Sequence, residues 1–416
     1  MELEINAVKG GICAPKGFKA SGIHAGIRKA MGGKGRPEKN DLGLIFAEKE
    51  CYAAAVYTQN KVKGAPLYVT KKHLADGKCR AVIVNSINAN TCNADGVEKA
   101  TQMCELTAKA LNIDIEDVIP ASTGVIGQIL PIEPFMDAIP RLVKTLAVTG
   151  SNAVAQAIMT TDTKMKEIAV EFVIDGKKCH IGAINKGSGM IHPNMATTLT
   201  FITTDVNVNP DFLQNILREV VDITLNRVSV DGDTSTNDMT LIMTSCLAGN
   251  KEINIENLED TRIFFSALQI VLDYLARQMA RDGEGATKLI VCDCQNAKTI
   301  EDANNVCNAV ITSNLLKCAM FGSDANWGRI LCAIGNSGVE YFDEKHTEVS
   351  VSSQKGEMLL FKDGGGVEFS EEKATEILKE EEIIITVNLN QGECSSYAYG
   401  CDLTYDYVKI NGDYRS

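Results

Sequence analysis

Two β-rich runs, residues 167–174 and 179–185, are separated by a short turn carrying Asp175-Gly176. A spacer that short can join only antiparallel strands. Further β-rich runs of four to eight residues lie at 42–46, 53–57, 80–85, 198–203, 239–245, 288–293, 348–351 and 382–388. Helical periodicity covers 95–111, 134–146, 152–158, 209–224, 263–281, 299–305, 313–319 and 371–381. Strands and helices intermix with hairpin neighbours, which favours an α+β fold over a doubly wound parallel sheet. The 416 residues suit two or three domains by length, and no repeat of fixed period or low-complexity linker divides them.

Between the second hairpin strand and the run at 198–203 stands Lys186-Gly187-Ser188-Gly189-Met190, followed by Ile191-His192-Pro193-Asn194-Met195-Ala196-Thr197. This places a threonine behind a tiny residue, between a glycine-rich loop and an apolar strand. Thr197 is therefore the candidate nucleophile. A threonine hydroxyl needs a neighbouring base, and cutting the Ala196–Thr197 bond would free an α-amine on the same residue to serve as one. Such an amine titrates near pH 7.7 to 8.0 in model peptides, about where a general base is effective. The hydroxyl could make the cut itself by attacking the Ala196 carbonyl, giving an ester that water hydrolyses. On spacing alone the plainer reading is a buried strand at 195–202 whose threonines are β-branched filler.

Composition narrows the class. A formal net charge of −13 and the lack of long basic stretches argue against a nucleic-acid partner. Lys71-Lys72-His73 reads as a solvated helix start. The beginning of the chain is acidic, with no apolar core of signal-peptide length, and no apolar run approaches the roughly 20 residues of a membrane span. The expectation is a cytoplasmic enzyme without a membrane partner. Of fourteen cysteines, only Cys292 and Cys294 are close, and the paired clusters of structural zinc sites are missing, so the cysteines read as small buried hydrophobes and no metal is expected. The five histidines have no metal spacing. There is no phosphate-binding glycine-lysine loop, no complete dinucleotide fingerprint and no G-x-S-x-G elbow. Asp231-Gly232-Asp233 begins like a calcium loop but lacks the remaining ligands. These negatives favour a nucleophile that brings its own base, and no cofactor.

The stretch from Lys186 to Thr197 resembles the autoprocessing signature of the ornithine acetyltransferase family, the glutamate N-acetyltransferases. Similar stretches occur at Ala14-Pro15-Lys16-Gly17-Phe18, Ala81-Val82-Ile83-Val84-Asn85-Ser86 with Asn88-Ala89-Asn90, Pro120-Ala121-Ser122-Thr123-Gly124, Met159-Thr160-Thr161-Asp162-Thr163, Ser229-Val230-Asp231-Gly232-Asp233 through Asp238, Asp282-Gly283-Glu284-Gly285 and Phe321-Gly322-Ser323-Asp324 through Arg329. One departure is visible: the family usually has glycine where Ile87 stands, and isoleucine does not take positive φ cheaply.

The resemblance implies a layered αββα sandwich, similar to N-terminal-nucleophile hydrolases but with the connectivity shared with certain aminopeptidases. It implies self-cleavage between Ala196 and Thr197 into an α chain, 1–196, and a β chain, 197–416, with two copies of each in a heterotetramer. The family's oxyanion pair falls on Thr123 and Gly124, and its substrate contacts on Thr160, Lys186, Thr197, Glu284, Asn411 and Ser416. Lys186 suits an α-carboxylate as a point charge on a flexible stem, and Glu284 could receive an amine. The implied reaction is ping-pong: Thr197 takes acetyl from N2-acetylornithine and passes it to L-glutamate. Some relatives also use acetyl-CoA as a substrate, and the sequence leaves that second donor open. The competing readings are an amide hydrolase on the same scaffold and a catalytically silent binding protein.

Overall fold

Asp175 and Gly176 both adopt left-handed conformations, with φ of 50° and 67°, as a two-residue hairpin turn matched to strand twist requires. Ile174 consequently pairs with Lys177, and the register continues unbroken to Lys166 opposite Asn185. This is seen in a computed structural model, which describes residues 4–33, 38–192 and 198–413. Ala196, Thr197 and Ser416 lie outside the described residues.

The fold is mixed α/β and divides into two units. The first comprises residues 1–187, 193–226 and 234–275, and the second 188–192, 227–233 and 276–416. The first unit is built on a nine-stranded sheet. Its strands are β1 (Asn6–Ala7), β2 (Phe18–Ile23), β3 (Leu42–Tyr57), β4 (Lys78–Asn85), β5 (Val118–Ser122), β6 (Lys166–Ile174), β7 (Lys177–Lys186), β8 (Leu199–Thr204) and β9 (Met239–Thr244). The spatial order is β1-β6-β7-β8-β9-β3-β4-β5, with β2 also on β3. Among the described residues of this sheet, only β8/β9 and β4/β5 pair in parallel.

The helices beginning in this unit are α1 (Ile27–Ala30), α2 (Ala65–His73), α3 (Gly96–Leu111), α4 (Glu133–Lys144), α5 (Ser151–Ala157), α6 (Pro210–Ile223) and α7 (Leu258–Arg281); α7 ends in the second unit. Alternate residues of the sheet feed two cores. Ala81 and Ile83 of β4 pack with Met103 and Cys104 of α3 and with Phe135 and Ile139 of α4. Val82 and Val84 join Ile12, Ile45 and Val154 on the opposite face. Strands covered on both faces read as continuous apolar runs, as Ala81–Val84 does.

The second unit carries a six-stranded sheet in the order β13-β12-β11-β14-β10-β15. Its strands are β10 (Leu289–Ala297), β11 (Glu348–Ser353), β12 (Gly356–Lys362), β13 (Gly365–Gly366), β14 (Glu382–Asn388) and β15 (Cys394–Cys401). Around them stand α8 (Ile300–Thr312), α9 (Asn314–Phe321), α10 (Trp327–Gly335), α11 (Glu371–Leu378) and α12 (Tyr405–Gly412). Ala303, Val306, Cys307 and Val310 form one helical stripe of α8 against Ile290, Cys292 and Ile385.

Several elements depart from the sequence reading. The runs at 42–46 and 53–57 are one long strand, β3, whose pairing with β4 shifts register between Phe46 and Cys51. Lys71-Lys72-His73 closes α2 instead of opening a helix, and His73 is buried with its Nδ1 2.7 Å from the Val118 carbonyl. Pro66 sits in the first turn of α2, where its missing N–H costs nothing. The helix expected over 371–381 stops at Leu378, because Glu382 already begins β14.

Candidate active site

Thr123 and Gly124 follow β5 directly, and the turn they form is held from several sides within the first unit. The Thr123 N–H donates to the Asn85 carbonyl (3.0 Å), and Val125 N–H to that of Ile87 (3.0 Å). The Asn85 side chain donates to Ser122 Oγ (2.7 Å) and accepts from the Asn88 N–H (3.1 Å). Asn237 donates to the carbonyls of Ala89 (2.6 Å) and Ser122 (2.9 Å), with its own oxygen receiving the Thr91 hydroxyl (2.6 Å). Gly124 has φ of 130°, and a Cβ there would overlap the Ile87 carbonyl, so only glycine fits. Ile87 itself is not among the residues with positive φ; it is buried in the core beside α3 and α4. The turn thus tolerates isoleucine where the resemblance led one to expect glycine. Among the described residues, the Gly124 N–H and the Thr123 hydroxyl have no hydrogen-bond partner. Two unspent donors side by side on a rigid turn are what a developing oxyanion needs.

Thr160 and Lys186 are linked through a residue that sequence reasoning did not single out. Asp162 is buried and accepts from the Thr160 N–H (3.1 Å), the Gly187 N–H (2.8 Å) and the Lys166 ammonium (2.8 Å). Burial alone would raise its pKa. The charges of Lys166 and Lys186, with the Lys166 and Gly187 hydrogen bonds, outweigh that and bring it down to about 2. Asp162 is therefore an ionised carboxylate. Lys186, the last residue of β7, is also buried, yet among the described residues its ammonium makes no hydrogen bond or ion pair. Asp238, just ahead of β9, is buried as well, and burial drives its carboxyl well above the ordinary range despite the Ser235 hydroxyl and the Lys186 charge. Thr198, next in sequence to Thr197, is buried; its hydroxyl receives the Asn185 amide (2.9 Å) and its carbonyl the Met239 N–H (2.9 Å).

In the second unit the loop from Ser188 to His192 is tied down by Asp231, whose two oxygens accept from the N–H groups of Met190 (2.6 Å) and Ile191 (3.0 Å). That is the work of the acidic group that resembled a calcium loop. Met190 takes φ of 56° to make this turn. Glu284 N–H donates to the Ser188 carbonyl (2.8 Å), and the Glu284 carboxyl fills the space where a side chain on Gly189 would stand. Asn411 on α12 donates to Glu284 Oε2 (2.8 Å). Gly285, at φ 70°, lets the Tyr407 backbone approach closely, and the Thr404 hydroxyl that caps α12 donates to the Gly285 carbonyl (2.6 Å).

The structure thus brings together Thr160 with Lys186, through Asp162, and Glu284 with Asn411. Among the described residues, Thr123 and Gly124 make no hydrogen bond or ion pair with Thr160 or Lys186. Sequence reasoning gave no part to Asp162, Lys166 or Asp238, and read Asp231 only as the start of an incomplete calcium loop. Asp162 and Asp238 lay inside the quoted motifs, and the available signal was an acid held between threonines, for Asp162, or at the mouth of an apolar strand, for Asp238.

A family model described as the ArgJ family matches residues 19–416. The chain belongs to that family. It is 49% identical over 400 residues to the arginine biosynthesis bifunctional protein ArgJ 1 of Clostridium acetobutylicum, covering 96% of each chain. It is 45% identical over 408 residues to the ArgJ protein of Caldanaerobacter subterraneus subsp. tengcongensis, covering 98% of this chain and 99% of the relative. A crystal structure of the Bacillus halodurans ArgJ protein matches with 43% sequence identity and a TM-score of 0.48, over 51% of this chain and 97% of that one.

Proposed function

We propose that this chain transfers the acetyl group of N2-acetylornithine to L-glutamate through an acetyl-Thr197 intermediate. The observation that carries the reading is the Thr123–Gly124 turn with its two unspent donors. Thr197 Oγ attacks the acetyl carbonyl, and the oxygen that takes up negative charge is met by the Thr123 hydroxyl and the Gly124 N–H. The Thr197 proton passes to its α-amine and then to the departing ornithine nitrogen as the amide C–N bond breaks. The amine of glutamate attacks the ester in turn, forming N-acetylglutamate and restoring the threonine. Lys186 receives an α-carboxylate, Thr160 lies beside it, and Glu284 with Asn411 and Ser416 contacts the amino-acid side chain.

The α-amine exists only after the Ala196–Thr197 bond is cut, giving chains 1–196 and 197–416. Two copies of each chain would form the heterotetramer, with the sheets and helices layered as an αββα sandwich. The relatives' names, which place them in arginine biosynthesis and call them bifunctional, support both the pathway and a second activity, for which we assign acetylation of glutamate by acetyl-CoA in the cytoplasm. Mass spectrometry of purified protein should find two pieces, the second starting with threonine, while Thr197→Ala stays whole and inactive. With acetylornithine alone the processed enzyme should release about one ornithine per site quickly and then slow, with glutamate restoring turnover. An intact, fully active wild-type chain would refute the self-supplied base. Equal turnover with and without glutamate would identify an amide hydrolase instead.

A further inference from the structure

Lys186, Leu199 and Met239 stand in one row across β7, β8 and β9. Asp238 therefore lies at the same end of the sheet as Lys186, with one strand between them. Both residues are buried, at 8% and 3% exposure. Among the described residues no hydrogen bond or ion pair joins them: the Lys186 ammonium has no acceptor, Asp238 Oδ2 has no partner, and only the Lys186 charge reaches the Asp238 carboxyl.

We infer that Asp238 is a positioning residue that leaves the Lys186 ammonium available to an incoming carboxylate, by presenting a carboxyl group that does not itself pair with the lysine. The inference rests on the proposed function for the class of ligand, an α-amino acid. An isolated buried carboxylate is costly enough that the group takes up a proton instead. Burial pushes the Asp238 acid in that direction, opposed by the Ser235 hydroxyl and by Lys186. Asp162, the other acid within reach of the Lys186 charge, is already engaged by Lys166 and by two N–H groups. With Lys166 and Asp162 cancelling and Asp238 neutral, the cluster carries one uncompensated positive charge, on Lys186. A ligand carboxylate supplies the missing negative charge. When Asp238 loses its proton it becomes the competitor of that carboxylate, so affinity falls as pH rises.

The test uses processed wild-type protein and Asp238→Asn, which fixes the side chain as neutral at nearly the same shape, with Asp238→Glu as a second variant should the asparagine form fail to fold. L-ornithine is titrated by calorimetry from about pH 6 to about pH 9, and its own amines ionise equally for both proteins. Wild-type affinity should weaken more steeply with pH than that of Asp238→Asn, the gap reaching about tenfold per unit of pH beyond the ionisation of the acid. Difference infrared spectra should show a protonated-carboxyl band in the wild type that Asp238→Asn lacks and Asp238→Glu retains at a shifted position. Identical pH profiles, or no carboxyl band that responds to these substitutions, would overturn the inference. Neither readout requires acetyl transfer, so a failure of the proposed reaction would be recognised separately.

Discussion

Lys317 and Lys186 are both buried lysines, and they are treated in opposite ways. Lys317, in the second unit, donates to the carbonyls of Val230 (2.7 Å) and Cys401 (2.6 Å). Its neighbour in that unit, Lys288, donates to the carbonyls of Met320 (2.5 Å) and Leu378 (2.7 Å) and to Ser323 Oγ (2.8 Å). In both cases backbone oxygens replace the lost hydration, and the lysine serves as a staple between segments. Lys186, in the first unit, has no such replacement. The difference teaches that burial by itself does not set a lysine apart; whether its donors are already spent on backbone oxygens does.

The comparison can be broken in three ways, taken from the largest effect to the smallest. Lys186→Met should lower kcat/KM by about a hundredfold or more, because the ligand carboxylate loses its cation, while the thermal midpoint stays level, since no carbonyl or carboxylate among the described residues loses a hydrogen-bond partner. A fall in the midpoint with activity retained would make Lys186 a second staple. Asp162→Asn should cost about 3 kcal/mol at neutral pH, since the buried ion pair with Lys166 is lost. The Asp162 pKa is lowered on folding, so its contribution is present above the unfolded value near 3.8 and is lost as pH falls through about 2. Urea midpoints of the two proteins should therefore converge between these values, and a constant difference would assign the loss to packing. Lys317→Met should cost about 2 kcal/mol through two stranded carbonyls, with turnover per folded molecule unchanged; a loss of turnover at full stability would place Lys317 in the chemistry.

Local features of the fold were legible and long-range ones were not. The Asp175-Gly176 turn and the alternating valines and isoleucines of β14, at the expected 382–388, declare themselves within a few residues. β5 escaped notice because Pro120 interrupts it, which is tolerable because β5 is an edge strand. β15, with serines, tyrosines and glycine and no valine or isoleucine, is likewise an edge. At the candidate site, Glu284 announced itself by its flanking glycines, and the reason for one of them, close approach of α12 to Gly285, appears only in three dimensions. Asp162 and Asp238 matter through burial and through partners across the sheet, and neither is written in spacing.

The order β7-β8-β9-β3 carries a consequence for how such a protein must be assembled. A cut between Ala196 and Thr197 would assign β8 and β9 to the downstream fragment, while β7 on one side and β3 on the other stay with the upstream one. Two strands of one fragment would then be laced into the middle of a sheet made by the other. Pulling them apart would bare four strand edges at once, so the nicked sheet would behave mechanically as a single body. Fragments made separately would each begin life with open edges and nothing of their own to fill them, which makes scission after folding the productive order and co-assembly of preformed halves the aggregation-prone one.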